Sequence, residues 1–149
     1  MLRIGRNLFV HAGLSARLLE RDLEMDTLNA RMSEGLYRTS KERREDPTLE
    51  FLYRSAGPVW YRGMVCTDEK YDPLTPEQTD ALLRRYDADR LLVGHTIFPD
   101  ISTFHDGRVI AVNVQNERNR RKNRGRAVLI EGSRISVVGN RGVKRVLEE

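Results

Sequence analysis

The stretch Phe9-Val10-His11-Ala12-Gly13-Leu14-Ser15 ends a short apolar run with a histidine and a glycine. A run of this length is typical of a buried strand, and the glycine permits a sharp turn directly after it. The pattern returns at Val93-Gly94-His95-Thr96, which follows a second apolar run that begins after Arg90. Each histidine is therefore predicted at the end of a strand, where the backbone holds its ring in a fixed direction.

The residues between these two strands predict helices. Apolar side chains recur at four-residue spacing from Ala16 to about Leu36, which is the spacing of one helix face. A short helix is predicted from Thr48 to Arg54, with Asp46-Pro47 as its start. Thr75-Pro76-Glu77-Gln78 combines a capping box with a proline in the first turn, so a third helix is predicted from Pro76 to about Tyr86.

After the second histidine the sequence predicts strands only. Two hairpins are expected around the turn residues Asp106-Gly107 and Gly132-Ser133. Their strands are Ile101 to Phe104, Arg108 to Val114, Arg126 to Glu131 and Arg134 to Val138. The order of strand, helices, strand and hairpins predicts a mixed α/β (α+β) layered fold. We expect one domain over residues 1–149, with a helical insert at about 16–58 and a terminal strand meander at about 90–139.

The composition describes a highly charged protein that is large enough for a sizeable core. Its 26 basic and 22 acidic side chains give a formal net charge of +4. The single cysteine, Cys66, excludes an intrachain disulfide, which fits a reducing compartment. No apolar run approaches the roughly 20 residues that cross a bilayer, so we expect a cytoplasmic protein without a membrane partner. The charged stretch from Arg38 to Asp46 is expected at the surface.

The two strand-end histidines are the first candidates for a functional site. Neutral imidazole is the commonest protein ligand for divalent transition metals. His11 and His95 are 84 positions apart (95 − 11), so only folding can bring them together. The alternative is that each ring simply bonds a backbone carbonyl at the end of its strand. Cys66 and His105 are not expected to be ligands, since His105 belongs to a hairpin turn.

Two cationic features accompany the histidines. Arg62, in Trp60-Tyr61-Arg62-Gly63, either stacks on a neighbouring aromatic ring or presents a forked donor to phosphate. A basic run contains Arg118, Arg120, Arg121, Lys122 and Arg124. This run is either a solvated loop or a sequence-independent contact to phosphates of RNA or of an anionic substrate. It holds no aromatic residue on which a base could stack, so nucleic acid is the less favoured partner.

Taken in order, these segments resemble the C-terminal half of calcineurin-like metallophosphoesterases, in particular the phosphoprotein-phosphatase branch with its Shewanella-like bacterial members. The stretch from Val10 to Ser15 resembles the family's Val-His-Gly-Gly-Leu block, with Ala12 in place of the first glycine. Gly94-His95-Thr96 is similar to its Gly-His-Thr block, and Trp60 to Gly63 to its tryptophan-arginine segment. Val112-Asn113-Val114 stands where the family usually has Ile-Asp-Thr-Gly.

The resemblance implies a fold, a chemistry and a set of site residues. The fold would be the C-terminal half of the layered metallophosphatase β-sandwich, flanked by helices. The activity would be that of a metal-dependent, serine/threonine-phosphatase-like hydrolase with two metal ions that activate water and clamp the phosphoryl group. His11 and His95 would bind the second metal ion and Arg62 the phosphate, with the basic run in a substrate loop that overhangs the site.

The resemblance leaves the metal and the substrate open. The ions would be manganese, with iron or zinc as alternatives. The phosphorylated substrate would be a phosphoprotein, a dinucleoside polyphosphate or a small phosphomonoester.

The chain departs from the family by lacking its N-terminal motifs. No Asp-x-His, Gly-Asp-x-x-Asp-Arg-Gly or Gly-Asn-His-Glu occurs in the 149 residues. The bridging carboxylate, the first-metal ligands and the general acid all belong to that N-terminal half. We therefore expect a truncated chain that requires the missing half as its partner and has no catalytic residue of its own. Weak metal binding and negligible hydrolysis should follow. Two alternatives remain: a basic module that binds RNA or another polyanion, and an inactive structural remnant.

Overall fold

Two β-sheets organise the computed structural model, which describes residues 1–122 and 124–148 apart from the side chains at positions 116 and 144. The larger sheet has the order β1-β2-β3-β5-β4 and the smaller the order β6-β7-β8. The strands are β1 (Leu2–Ile4), β2 (Asn7–Val10), β3 (Arg90–Val93), β4 (Ser102–Phe104), β5 (Val109–Ala111), β6 (Arg126–Glu131), β7 (Arg134–Gly139) and β8 (Gly142–Glu148). This arrangement confirms the predicted mixed α/β fold.

The centre of the larger sheet is parallel. β2 pairs with β3, with Val10 opposite Val93, and β3 pairs in the same direction with β5. β1 and β4 flank these strands in the antiparallel direction. Because the carboxyl ends of parallel strands meet at one edge, the residues that follow Val10 and Val93 are brought side by side.

Helices fill the connection between β2 and β3. They are a 3-10 helix (Ala16–Arg21), α1 (Met25–Leu36), α2 (Ser40–Arg44), α3 (Pro47–Tyr53), a 3-10 turn (Glu69–Tyr71) and α4 (Pro76–Arg85), and α5 (Asn116–Arg121) follows β5. The predicted capping box is present, since the Thr75 hydroxyl accepts from the amide of Gln78, whose side chain accepts from the amide of Thr75. Asp46 caps α3 by accepting from the amides of Thr48 and Leu49.

The side chains of the larger sheet separate two apolar cores. Leu91 and Val93 of β3 belong to the core that contains helix residues such as Leu28 and Leu52. Leu92, between them, belongs to a second core with Ile135 of β7. Alternate residues of a strand point to opposite faces, so helices cover one face of the larger sheet and the smaller sheet covers the other. Within the described residues no helix has both the length and the apolar character needed to span a bilayer.

Three segments differ from the sequence-based expectation. The helix predicted from 16 to 36 is divided at Asp22, whose φ of 46° is the left-handed conformation that aspartate tolerates. The exposed charged stretch contains α2, which a capping box between Thr39 and Glu42 starts. The prediction of strands only after His95 was wrong, because α5 lies within the basic run. Glu117 and Arg121 pair one turn apart there, at 3.1 Å.

Candidate functional site

The two predicted histidines meet at the carboxyl edge of the parallel strands. His11 follows β2, and the amide of Gly94, directly after β3, donates to the His11 carbonyl at 2.9 Å. Nε2 of His11 lies 3.1 Å from Nδ1 of His95. The ring centroids are 5.0 Å apart and the ring planes are inclined by 60°. The strand pairing thus brings together two imidazoles that the sequence separates by 84 positions.

His95 has an uncommon backbone conformation and a shifted proton affinity. Its φ of 60° lies in the left-handed region, which is rare for residues other than glycine and is often found at functional sites. Desolvation lowers the pKa of His95, and electrostatic interactions with Arg62 and His11 lower it further. Its ring is consequently neutral at neutral pH, which is the state that binds a metal ion or accepts a hydrogen bond.

Arg62 is the third predicted residue at this place. Its guanidinium nitrogen Nη2 lies 3.2 Å from Nε2 of His95. The carbonyl of Arg62 accepts from the amides of Val65 and Cys66, at 3.0 and 2.9 Å, and the buried Tyr61 anchors the loop through its hydroxyl on the carbonyl of Asp72. A closed turn therefore fixes the backbone from which the guanidinium extends.

The alternative expectations for these residues do not match the contacts. The ring nitrogens of His11 and His95 that make hydrogen bonds in the described chain contact each other and Arg62, not a backbone carbonyl. The guanidinium of Arg62 lies 5.9 Å from the ring centroid of Tyr71 rather than over Trp60 or Tyr61.

Two further aromatic residues, Trp60 and His105, differ in their contacts. Trp60 packs edge-on against His95, with centroids 5.1 Å apart. His105, by contrast, is held by the Thr79 hydroxyl and the Met64 carbonyl, both at 3.2 Å, as a structural residue would be.

The spacing of the two imidazoles fits a shared metal ion. Imidazole nitrogens bind zinc at about 2.0–2.1 Å, so two of them around one ion stand about 2.8 Å apart at octahedral angles and up to about 3.4 Å apart at tetrahedral angles. The observed separation of 3.1 Å falls within this interval. The described residues contain no group of three or more histidine, cysteine or acidic side chains placed to hold an ion. A metal ion at this place would therefore find two ligand positions, His11 and His95, which is about half of a complete set.

Two cavities adjoin the histidines and share a cationic and aromatic border. A cavity of about 660 Å³ is lined by both rings, and a second of about 620 Å³ is lined by Arg62. Tyr53, Arg54 and Trp60 line both. The remaining cations at the two cavities are Arg17, Arg43, Arg44 and Lys70.

The sequence-based search missed Arg43, Arg44 and Arg54. Their only signal was the density of charge before the predicted short helix. The start of α2 by the Thr39 capping box is what places Arg43 and Arg44 beside the cavity.

The basic run lies elsewhere. Arg118, Lys122 and Arg124 line a separate cavity of about 590 Å³, whereas Arg120 and Arg121 do not. None of the five lines either cavity beside the histidines. The resemblance implied that this run overhangs the site, but the cavity that it lines is a different one.

Comparison with solved structures gives the context for this geometry. The chain is similar to three structures of cold-active protein tyrosine phosphatase, one of which is a point mutant and one of which comes from a psychrophilic Shewanella species. Each matches with a TM-score of 0.81 and 26% identity over 95% of this chain. The chain spans only 39–40% of the length of those proteins. No protein-family model matches the chain, nor does any curated protein sequence. The likeness shows that the chain has a phosphatase-like α/β fold.

Proposed function

We propose that this chain is the part of a calcineurin-like binuclear metallophosphoesterase that holds the second metal ion and the phosphate. The observation that carries the proposal is the convergence of His11, His95 and Arg62 at the carboxyl edge of β2 and β3. The similarity to solved phosphatases supports phosphate-ester hydrolysis as the general chemistry. The motifs that resemble the metallophosphoesterase family support the finer assignment.

His11 and His95, whose facing ring nitrogens lie 3.1 Å apart, would hold one divalent ion. Such an ion, manganese, iron or zinc, supplies an activated water and polarises the phosphate when it is bound. Since the described residues offer no third ligand, we propose that the others come from outside these 149 residues. The isolated chain should then bind metal weakly and hydrolyse phosphate esters negligibly.

Arg62 would give up its hydrogen bond to His95 and donate to phosphate oxygens instead. A guanidinium can only donate, so the contact at 3.2 Å makes Nε2 of His95 an acceptor and leaves the ring proton on Nδ1, facing His11. When Nδ1 serves as a ligand, the neutral ring keeps its proton on Nε2 instead. Nε2 can then no longer accept from Arg62, and the guanidinium is available to phosphate oxygens.

The surroundings favour a phosphorylated protein over a dinucleoside polyphosphate or a small phosphomonoester. Trp60 is 53% exposed and stands with Tyr53 at both cavities, so apolar and aromatic groups of a substrate can pack there. Arg44 has no ion-pair partner among the described residues, and Arg54 has only a long contact to Glu50 at 3.5 Å. The similar solved proteins are protein tyrosine phosphatases, which agrees with an aryl phosphate as the bound group.

Calorimetric titration of the chain with zinc and then with orthovanadate tests the proposal. His11→Ala and His95→Asn should each weaken zinc binding by about tenfold or more, as expected for loss of a metal ligand. Arg62→Lys should leave zinc binding unchanged and weaken vanadate binding, because lysine cannot offer the forked donor. His105→Asn is the matched control, since the ring of His105 contacts Thr79 and Met64 and neither of the other two histidines. If each histidine variant binds zinc as the parent chain does, the two rings are not its ligands, which would instead support the inactive structural remnant.

A further inference from the structure

A third cavity lies between α5 and the segment that follows His95. It has a volume of about 590 Å³, within the range of about 300–1,000 Å³ that is usual for ligand sites. Four cations line it: Arg118, Lys122, Arg124 and Arg126. Its one acidic lining residue, Asp100, is 3.2 Å from Arg126 and is neutralised by it.

Three of these four cations have no ion-pair partner among the residues that the structure describes. Arg118 of α5 and Lys122, the residue directly after this helix, are exposed and four positions apart, so both reach the same side of the helix end. Neither they nor Arg124 form an ion pair with any residue in 1–122 or 124–148. Arg121, which does not line the cavity, is by contrast paired with Glu117. The cavity therefore carries positive charge that an external anion can neutralise.

Part of the cavity lining is apolar. Ile97 is 56% exposed, although large aliphatic side chains are usually buried, and Pro99 beside it is exposed as well. Phe98 is not available for stacking, because its ring packs on Phe104 with centroids 5.4 Å apart and joins the helix-side core. A ligand that fits this lining needs both negative charge and an apolar group.

We infer that this cavity docks an acidic peptide segment that carries an aliphatic side chain. Its carboxylates would lie along Arg118, Lys122 and Arg124, and its aliphatic group would cover Ile97. Single-stranded RNA fits less well, since the cavity offers cations without a free aromatic ring on which a base could stack. Docking here requires neither a metal ion nor hydrolysis, so it is independent of the function proposed above.

Fluorescence anisotropy with the complete chain and two labelled peptides of equal length tests this inference. One peptide contains glutamate and leucine, and the other glutamate only. Arg118→Ser/Lys122→Ser should weaken binding of the mixed peptide by about tenfold, since each exposed charge contact contributes modestly. The control Arg120→Ser/Arg121→Ser removes the same charge from the same helix outside the cavity, and should weaken binding by no more than about twofold. Ile97→Ser should weaken binding of the mixed peptide and leave the all-glutamate peptide unchanged.

Three results would overturn the inference. Equal losses in the two double variants would mean diffuse attraction to a basic surface. Tighter binding of labelled oligouridylate than of the mixed peptide would identify a nucleic-acid site instead. An absence of measurable binding of either peptide at low salt would leave no docking site. Circular dichroism spectra of all variants should superimpose on that of the parent chain, which confirms that the comparison is between folded proteins.

Discussion

Nε2 of His11 lies 3.1 Å from Nδ1 of His95, although 84 positions separate the two residues. The cause is the register of the larger sheet, where Val10 and Val93 are partners in a parallel pair. Both strands end at the same edge of the sheet, so the residues that follow them converge there.

Trp60 should report on metal binding. It is the only tryptophan, and its ring centroid is 5.1 Å from that of His95. Cobalt(II) bound by the two imidazoles should quench its fluorescence, because the paramagnetic ion would then lie close to the indole. The quenching should be saturable in the parent chain and in His105→Asn, and it should be absent in His95→Asn. Quenching of equal strength in His95→Asn would place the ion elsewhere.

Because of its backbone conformation, position 95 should tolerate glycine better than alanine. A φ of 60° is unfavourable for alanine by about 1–2 kcal/mol and is readily adopted by glycine. His95→Gly should therefore have a free energy of unfolding about 1 kcal/mol higher than that of His95→Ala. Urea denaturation of the two variants measures the difference. Equal stabilities would show that this residue does not hold the left-handed conformation in solution.

Gly63 should be intolerant of a side chain. A Cβ at this position would strike the Tyr61 hydroxyl and would lie 2.5 Å from the carbonyl oxygen of Asp72, which bond each other. Gly63→Ala should lower the free energy of unfolding by about 1–3 kcal/mol and should weaken vanadate binding through Arg62.

Gly132→Ala provides the comparison for Gly63→Ala. Its Cβ would meet open space at a φ of 63°, so it should cost about 1 kcal/mol through the backbone alone. Vanadate binding should be unchanged in that variant. A Gly63→Ala protein that keeps the parent's stability and vanadate affinity would contradict the loop geometry.

Asp46 should account for part of the decrease in the free energy of unfolding at low pH. Hydrogen bonds from Arg31, and from the amides of Leu49 and Thr48, lower the pKa of this carboxyl from its usual 3.8. The unfolded chain therefore binds the proton more readily, so the contribution of Asp46 is complete above about pH 4 and decreases as the pH falls through the folded-state pKa.

Asp46→Asn isolates that charge, because asparagine still caps α3 as an acceptor. The free energy of unfolding of this variant should decrease less steeply between pH 5 and pH 3 than that of the parent. Denaturation midpoints measured across this interval decide the matter. Parallel pH profiles for the two proteins would exclude the Asp46 contribution.

Local sequence signals predicted the elements that hold the site. Apolar runs that end in a histidine located β2 and β3, and the Thr75 capping box located α4. These signals work because strand burial and helix capping depend on residues that are adjacent in sequence. The mutual placement of His11, His95 and Arg62 was expected from their order and from the family resemblance.

The remaining features depend on contacts that adjacent residues do not encode. The division of the first helix rests on a single left-handed aspartate, Asp22. The helix α5 lies in a run whose density of arginine suggested only a solvated loop. Arg43, Arg44 and Arg54 border the cavities because α2 and α3 pack beside the histidines, which requires the tertiary fold.

In the proposed site, His11 and His95 are two of the ligands of one metal ion. Two-dimensional ¹H–¹⁵N spectra of the imidazole nitrogens during a zinc titration test it most directly, because the chain has three histidines and His105 serves as an internal control. The signals of Nε2 of His11 and Nδ1 of His95 should shift together, at one zinc per chain, while the signals of His105 stay in place. Independent shifts of His11 and His95, or an equal response from His105, would contradict it.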